Sequence, residues 1–157
     1  MESGVFVFLK ERDMNNGAQL SLQYGQRARK IILIVEDDES IGELLALAIS
    51  QESDYQPLVA RTSMRALEVI SQVKPNLLLI DYYLSRENGL DLYDHILARN
   101  GFEATPVIFL TAGDEKLHLT FKQRHLVVLE KPFDLENLLR AIENQLHPPC
   151  KADLAVS

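Results

Sequence analysis

Residues 31–39 read Ile31-Ile32-Leu33-Ile34-Val35-Glu36-Asp37-Asp38-Glu39: five apolar residues without a break, then four acids. A continuous apolar run suits a strand buried on both faces, because a strand with one wet face alternates. Three further runs share this character: Leu77-Leu78-Leu79-Ile80, Val107-Ile108-Phe109-Leu110 and Leu126-Val127-Val128-Leu129. Pro57-Leu58-Val59-Ala60 is a weaker fifth. Its proline cannot donate to a ladder, which predicts an edge position.

Helical patterns separate the runs. Ile41, Leu44, Leu45 and Ala48 recur at i, i+3, i+4 and i+7, and so do Leu135, Leu138, Leu139 and Ile142, with Asp134 placed to cap the second helix. Ser63 precedes a helix carrying Ala66, Leu67 and Ile70. Leu92, Tyr93, Ile96 and Leu97 mark another that ends near Asn100-Gly101. Residues 114–124 hold the least marked helix. The order is strand then helix, five times over, from about Lys30 to Leu146. With right-handed crossovers this predicts an α/β fold, an open parallel sheet with helices on both faces.

The chain has 157 residues, enough for one domain with its own core and some tail to spare. Its net charge of −7 is uneven: residues 1–30 carry +2 and the remainder −9. An acidic body argues against a general nucleic-acid or anionic-membrane surface. A single cysteine, Cys150, excludes a disulfide within the chain and points to a reducing cytoplasm. His95, His118, His125 and His147 have no ligand spacing. No apolar run approaches the length of a membrane span, and no signal pattern opens the chain. Residues 1–29 stand outside the repeat: Val5-Phe6-Val7-Phe8-Leu9 reads as an extra strand or a short helix, in what is otherwise a flexible extension. Residues 148–157, opening on Pro148-Pro149, read as an unstructured tail.

In an open parallel sheet, functional groups gather at the carboxyl ends of the strands, where the strand order reverses. Glu36-Asp37-Asp38-Glu39 follows the first strand, Asp81 the third, Thr111 ends the fourth, and Lys131 follows the fifth. If the first and third strands are neighbours, Asp37, Asp38 and Asp81 share one crevice. Two unit charges about 5 Å apart at an effective dielectric near 20 repel by roughly 3 kcal/mol. Such a cluster calls for a cation or a proton, and oxygen-only ligands suit Mg²⁺. A phosphoryl group on Asp81 would engage every one of these residues. Mg²⁺ bridges it to the acids, Lys131 pairs with one oxygen, and Thr111 hydrogen-bonds another. Taken alone, the acidic run reads instead as helix capping, Thr111 as a turn residue and Lys131 as a surface lysine.

Residues 30–147 resemble the receiver domain of two-component response regulators. The motifs that carry the resemblance are Val35-Glu36-Asp37-Asp38, Leu79-Ile80-Asp81 with Gly89 eight residues on, Leu110-Thr111-Ala112, and Lys131-Pro132-Phe133. The resemblance implies a flavodoxin-like sheet in the order 2-1-3-4-5. It implies that Asp81 is the phosphoacceptor, taking a phosphoryl group from a histidine kinase or a phosphotransfer protein. Asp37 and Asp38 become the Mg²⁺-binding acids, with the Tyr83 carbonyl as a third protein ligand. Thr111 becomes the switch hydroxyl, Ala112 the small residue that leaves access to the site, and Lys131 the phosphate-pairing lysine, with a cis Lys131-Pro132 bond. It implies a protein that promotes its own phosphorylation and dephosphorylation rather than an enzyme with a separate output. Its target would be an unidentified downstream protein, and pairing of two copies through the fourth helix, fifth strand and fifth helix would follow the family's habit. The eleven residues after Leu146 are too few for a DNA-binding module, which predicts a stand-alone receiver.

Three positions depart from the pattern. Val128 stands where the family usually has a switch aromatic, the segment before the fifth strand is short, and Ser85 replaces a common proline. Val128 therefore raises an alternative: a receiver that binds partners without phosphorylation. A Mg²⁺-dependent phosphohydrolase is a third reading, weakened by Tyr83, which stands where such enzymes commonly place an acid-base aspartate.

Overall fold

Ile32, Leu33, Ile34 and Val35 are wholly inaccessible to solvent, so the run that opens the repeat is a strand covered on both faces. The structure is a computed structural model and describes residues 6–7 and 29–148. The expectations for the rest of the N-terminal extension and for the tail with Cys150 lie outside the described residues. The chain divides between Asn76 and Leu77 into two compact units.

The first unit holds β1 (Phe6–Val7), β2 (Ile31–Val35), α1 (Glu39–Glu52), β3 (Gln56–Ala60) and α2 (Ser63–Gln72). β3 lies parallel to β2, in register from Ile31 opposite Gln56 to Val35 opposite Ala60. Its other side pairs antiparallel with β1, Phe6 opposite Val59 and Val7 opposite Leu58. The strand containing Pro57 is thus the outermost parallel strand, as its proline predicts, but β1 covers its edge. Of the two readings of residues 5–9, the strand is the one observed, over Phe6–Val7.

α1 forms where the periodicity places it, but with a rotated face. The buried side is Gly42, Leu45, Ala46 and Ile49, while Leu44 is 66% exposed. Small residues let this helix approach the sheet closely, and a count of large apolar residues favours the neighbouring stripe instead. In α2 the cap is Thr62, one residue earlier than expected, and its side chain accepts from Arg65 N.

The second unit holds β4 (Leu77–Asp81), α3 (Gly89–Leu97), β5 (Val107–Thr111), α4 (Glu115–Gln123), β6 (Val127–Glu130) and α5 (Leu135–Leu146). β4 and β5 are parallel, with Asp81 opposite Leu110; β5 and β6 are parallel, with Thr111 opposite Glu130. β4 and β5 are buried throughout, whereas Val127, Val128 and Leu129 of β6 are half-buried. A continuous apolar run predicts two covered faces; β6 departs from this because, among the described residues, it is the last strand of the sheet and has no neighbour on one side. Asp134 caps α5 by accepting from Asn137 N, and Leu138 and Ile142 form that helix's buried stripe.

The strand order is β1-β3-β2-β4-β5-β6. The five parallel strands alternate with five helices in the order 2-1-3-4-5, the flavodoxin-like arrangement expected. No helix among the described residues is long and apolar enough to cross a membrane.

Candidate functional site

Register brings three of the expected residues to one edge of the second unit. Asp81 is the last residue of β4 and Thr111 the last of β5, and both are buried. Tyr82 N donates to Leu110 O at 2.9 Å and Lys131 N donates to Thr111 O at 2.7 Å, which holds the three strand ends level. Lys131 Nζ lies 3.0 Å from Asp81 Oδ2, so the lysine that follows β6 meets the acid that ends β4. Asp81 Oδ1 accepts the Tyr83 main-chain N–H at 3.2 Å. The Lys131-Pro132 peptide is cis. Ala112 is exposed, and Gly113 has φ +81°, a left-handed conformation in which an added Cβ is strained.

Gly89 sits where no side chain fits. A Cβ there would lie 2.5 Å from Asp81 O and 2.9 Å from Ile80 Cγ2. Its N–H donates to Tyr82 O at 2.8 Å, so α3 starts directly against the residues that carry the acid. Asn88 caps that helix through its side chain, which accepts from Asp91 N.

Glu36, Asp37 and Asp81 each place one carboxylate oxygen so that all three lie within 4.8 Å of one another. The donors are hard oxygens, the set that suits Mg²⁺. Asp37 and Asp81 are two of the acids that the strand-end pattern singles out. Glu36 is the member to which that pattern assigns no role: it is 1% exposed, and its Oε1 accepts Asp38 N at 3.1 Å. Its place as the first residue after a fully buried strand is the signal that marks it. Asp38 uses Oδ1 to accept Ile41 N at 3.0 Å and so caps α1. The helix-capping reading of the acidic run is therefore realised at Asp38, within the same four residues.

The loop after Asp81 carries two tyrosines. Their rings meet edge to face at 4.8 Å, and Tyr82 meets Phe121 of α4 at 5.9 Å. The Tyr83 hydroxyl donates to Asp114 Oδ2 at 3.3 Å. Its phenol is held above the ordinary tyrosine value, first by the desolvation that packing brings and then by the Asp114 carboxylate. Sequence reasoning misses this link, since a tyrosine and an aspartate 31 positions apart give no local pattern. Val128, the residue at the expected aromatic position, is half-buried in β6.

Comparison with known proteins places these observations. Residues 32–143 match the family described as the response regulator receiver domain. Among curated proteins, the chain is 33% identical over 116 residues to the transcriptional regulatory protein MalR of Bacillus subtilis (strain 168), a match covering 72% of this chain and 48% of MalR. The chain spans about half the length of the curated relatives it matches. Among solved structures, a CheY-like response regulator receiver domain protein from Methanospirillum hungatei JF-1 aligns with a TM-score of 0.67 at 25% identity, covering 76% of this chain and 94% of that one. The signal receiver domain of a LuxO repressor protein from Vibrio parahaemolyticus aligns with a TM-score of 0.69 at 28% identity, covering 83% and 99%.

Proposed function

Since the chain belongs to the response regulator receiver domain family, we propose that it accepts a phosphoryl group on Asp81 from a phosphohistidine donor and signals by a change in protein binding. The observation that carries this reading is the buried Asp81 carboxylate with Lys131 Nζ 3.0 Å away and the Glu36 and Asp37 carboxylates in the same cluster. An Asp81 oxygen forms the new O–P bond as the N–P bond of the donor breaks, and the electron pair of that bond stays with the departing imidazole nitrogen. Lys131 loses a carboxylate oxygen as partner and gains a phosphoryl oxygen. Thr111, at the neighbouring strand end, donates its hydroxyl to another.

Glu36, Asp37 and Asp81 fit Mg²⁺ by donor type and spacing, with the Tyr83 carbonyl as a further oxygen and Asp38 acting through water. When bound, the ion supplies charge neutralisation for the transferring oxygens. In this reading the domain occupies residues 30–147, and the site residues are Asp81, Thr111 and Lys131 for transfer, Glu36, Asp37 and Asp81 for the metal with Asp38 beside them, and Thr111, Ala112 and Val128 for the switch. The donor is a histidine kinase or a phosphotransfer protein. The receiver passes its signal by protein binding or as a relay intermediate, and two copies pair through α4, β6 and α5.

The test is incubation with a small-molecule phosphoryl donor and Mg²⁺, followed by intact mass. One added phosphoryl group on the wild type and none on Asp81→Asn is expected. Unlabelled wild type, under conditions that label a control receiver, refutes the reading.

A second reading rests on Val128, which offers no ring to follow Thr111. In it the receiver binds its partner irrespective of phosphorylation. Equal partner affinity for wild type and Asp81→Asn supports this; a large difference rejects it.

A further inference from the structure

Tyr83 touches three parts of the second unit at once. Its main-chain N–H donates to Asp81 Oδ1 at 3.2 Å. Its backbone forms an isolated antiparallel bridge with Asn88, the cap of α3. Its hydroxyl donates to Asp114 Oδ2 at 3.3 Å. Asp114 in turn caps α4: Oδ1 accepts Lys116 N at 2.9 Å, and its carbonyl accepts Leu117 N at 3.0 Å and His118 N at 3.2 Å. One carboxylate is thus divided between the first turn of a helix and the residue that also holds the Asp81 carboxylate.

α4 is the helix most easily moved by such a tie. Phe121 is its single buried residue, packed against Tyr82 and against Phe109, whose ring centroid is 5.1 Å away. Its far end is held by Arg124, which pairs with both oxygens of Asp94 and lies 5.8 Å from the Tyr93 ring centroid. Few buried apolar contacts mean a low cost of local rearrangement. The helix hangs from its two ends about one aromatic pivot, and its N-terminal suspension leads to Asp81 through one side chain.

We propose that Tyr83 is a positioning residue that couples the Asp81 carboxylate to helix α4: while Asp81 Oδ1 belongs to an ionised carboxylate, the Tyr83 hydroxyl holds the α4 cap, and turning Oδ1 into a neutral carbonyl releases it. The physical ground is the strength of the acceptor. A carboxylate oxygen accepting an amide N–H makes a charge-assisted bond roughly twice as strong as a neutral one. An O–P bond formed at Oδ2 makes an acyl phosphate in which Oδ1 is a neutral carbonyl, so the Tyr83 backbone is held less firmly and its hydroxyl loses its fixed distance to Asp114. The same release follows from Asp81→Asn. The signalling role of this coupling rests on the phosphoacceptor reading of Asp81, while the coupling itself does not.

The experiment is a double-mutant cycle of Asp81→Asn and Tyr83→Phe, read by residue-resolved hydrogen exchange at the amides of Lys116, Leu117 and His118. Asp81→Asn alone is expected to speed exchange there by about fivefold, the equilibrium worth of one exposed hydrogen bond. Tyr83→Phe alone is expected to do the same, and the double variant to add nothing further. Additive effects, or no effect of either variant on these amides, overturn the proposal; a merely structural tyrosine gives additivity. Asp114→Asn, which keeps a good helix cap but weakens the acceptor, is expected to reduce the response to Asp81→Asn, and an undiminished response also overturns it. Phosphorylation of the wild type, followed by mass, reports separately on the phosphoacceptor reading. A coupled cycle in a protein that takes no phosphoryl group refutes that reading and leaves the coupling standing. An additive cycle in a protein that is phosphorylated refutes the coupling alone.

Discussion

Gly89 shows how tightly the residues around Asp81 are specified. Its N–H bonds Tyr82 O, and the space for a methyl group is already filled by Asp81 O at 2.5 Å and Ile80 Cγ2 at 2.9 Å. Asp81 O is backbone and cannot rotate away. Gly89→Ala is expected to cost about 1–3 kcal/mol, the usual penalty of overpacking. Denaturant unfolding measures it, as a lower midpoint with an unchanged slope; an unchanged midpoint means the helix start can back away from the strand. The sequence marks Gly89 only as a glycine at a fixed offset from Asp81. The reason for it is steric and lies in the packing of α3 against β4. Tyr83 differs again: its hydroxyl partner Asp114 is 31 residues away, and no local rule connects the two.

Caps and edges are properties of elements, and they are legible to different degrees. Asp134 is recognisable from its place before the Leu135, Leu138, Ile142 stripe, because a cap is a contact over three residues and leaves its signature locally. Asp134→Ala removes the acceptor for Asn137 N at 2.7 Å and is expected to cost about 1 kcal/mol, seen as a lower melting temperature, with Asp134→Asn nearly neutral. Equal loss for both variants points to the charge rather than the hydrogen bond. The face of α1 is less legible: Gly42 and Ala46 are buried and Leu44 exposed, which inverts the ranking by size. β1 stays open between strand and helix in the sequence because two extended residues are too few to show a period; pairing with β3 decides it. A chain lacking residues 1–7 leaves the backbone of Leu58 and Val59 unpaired at the edge. It is expected to melt lower and to associate as concentration rises. Sedimentation that shows a monomer with unaltered stability assigns β1 no protective role.

At the scale of the whole molecule, the net charge of −7 acquires a local meaning. Glu36, Asp37 and Asp81 hold carboxylate oxygens within 4.8 Å of each other, an arrangement that a cation relieves. Mg²⁺ is expected to raise the melting temperature, by about 2.7 kcal/mol of added stability at one hundred times its dissociation constant. Asp37→Asn is expected to blunt the rise. An identical melting curve with and without millimolar Mg²⁺ rejects a metal site at this cluster. The sequence by itself determined the alternation of strand and helix, the family, and the strand ends at which Asp81, Thr111 and Lys131 stand. Periodicity and caps are relations between residues a few positions apart, so they are written in the chain. Tertiary structure alone decided that Glu36 joins the cluster, that β6 is only half-buried, and that Tyr83 holds Asp114. Those outcomes depend on which strands and loops become neighbours and how closely they pack, and pairing across tens of residues leaves no pattern in any one stretch of sequence.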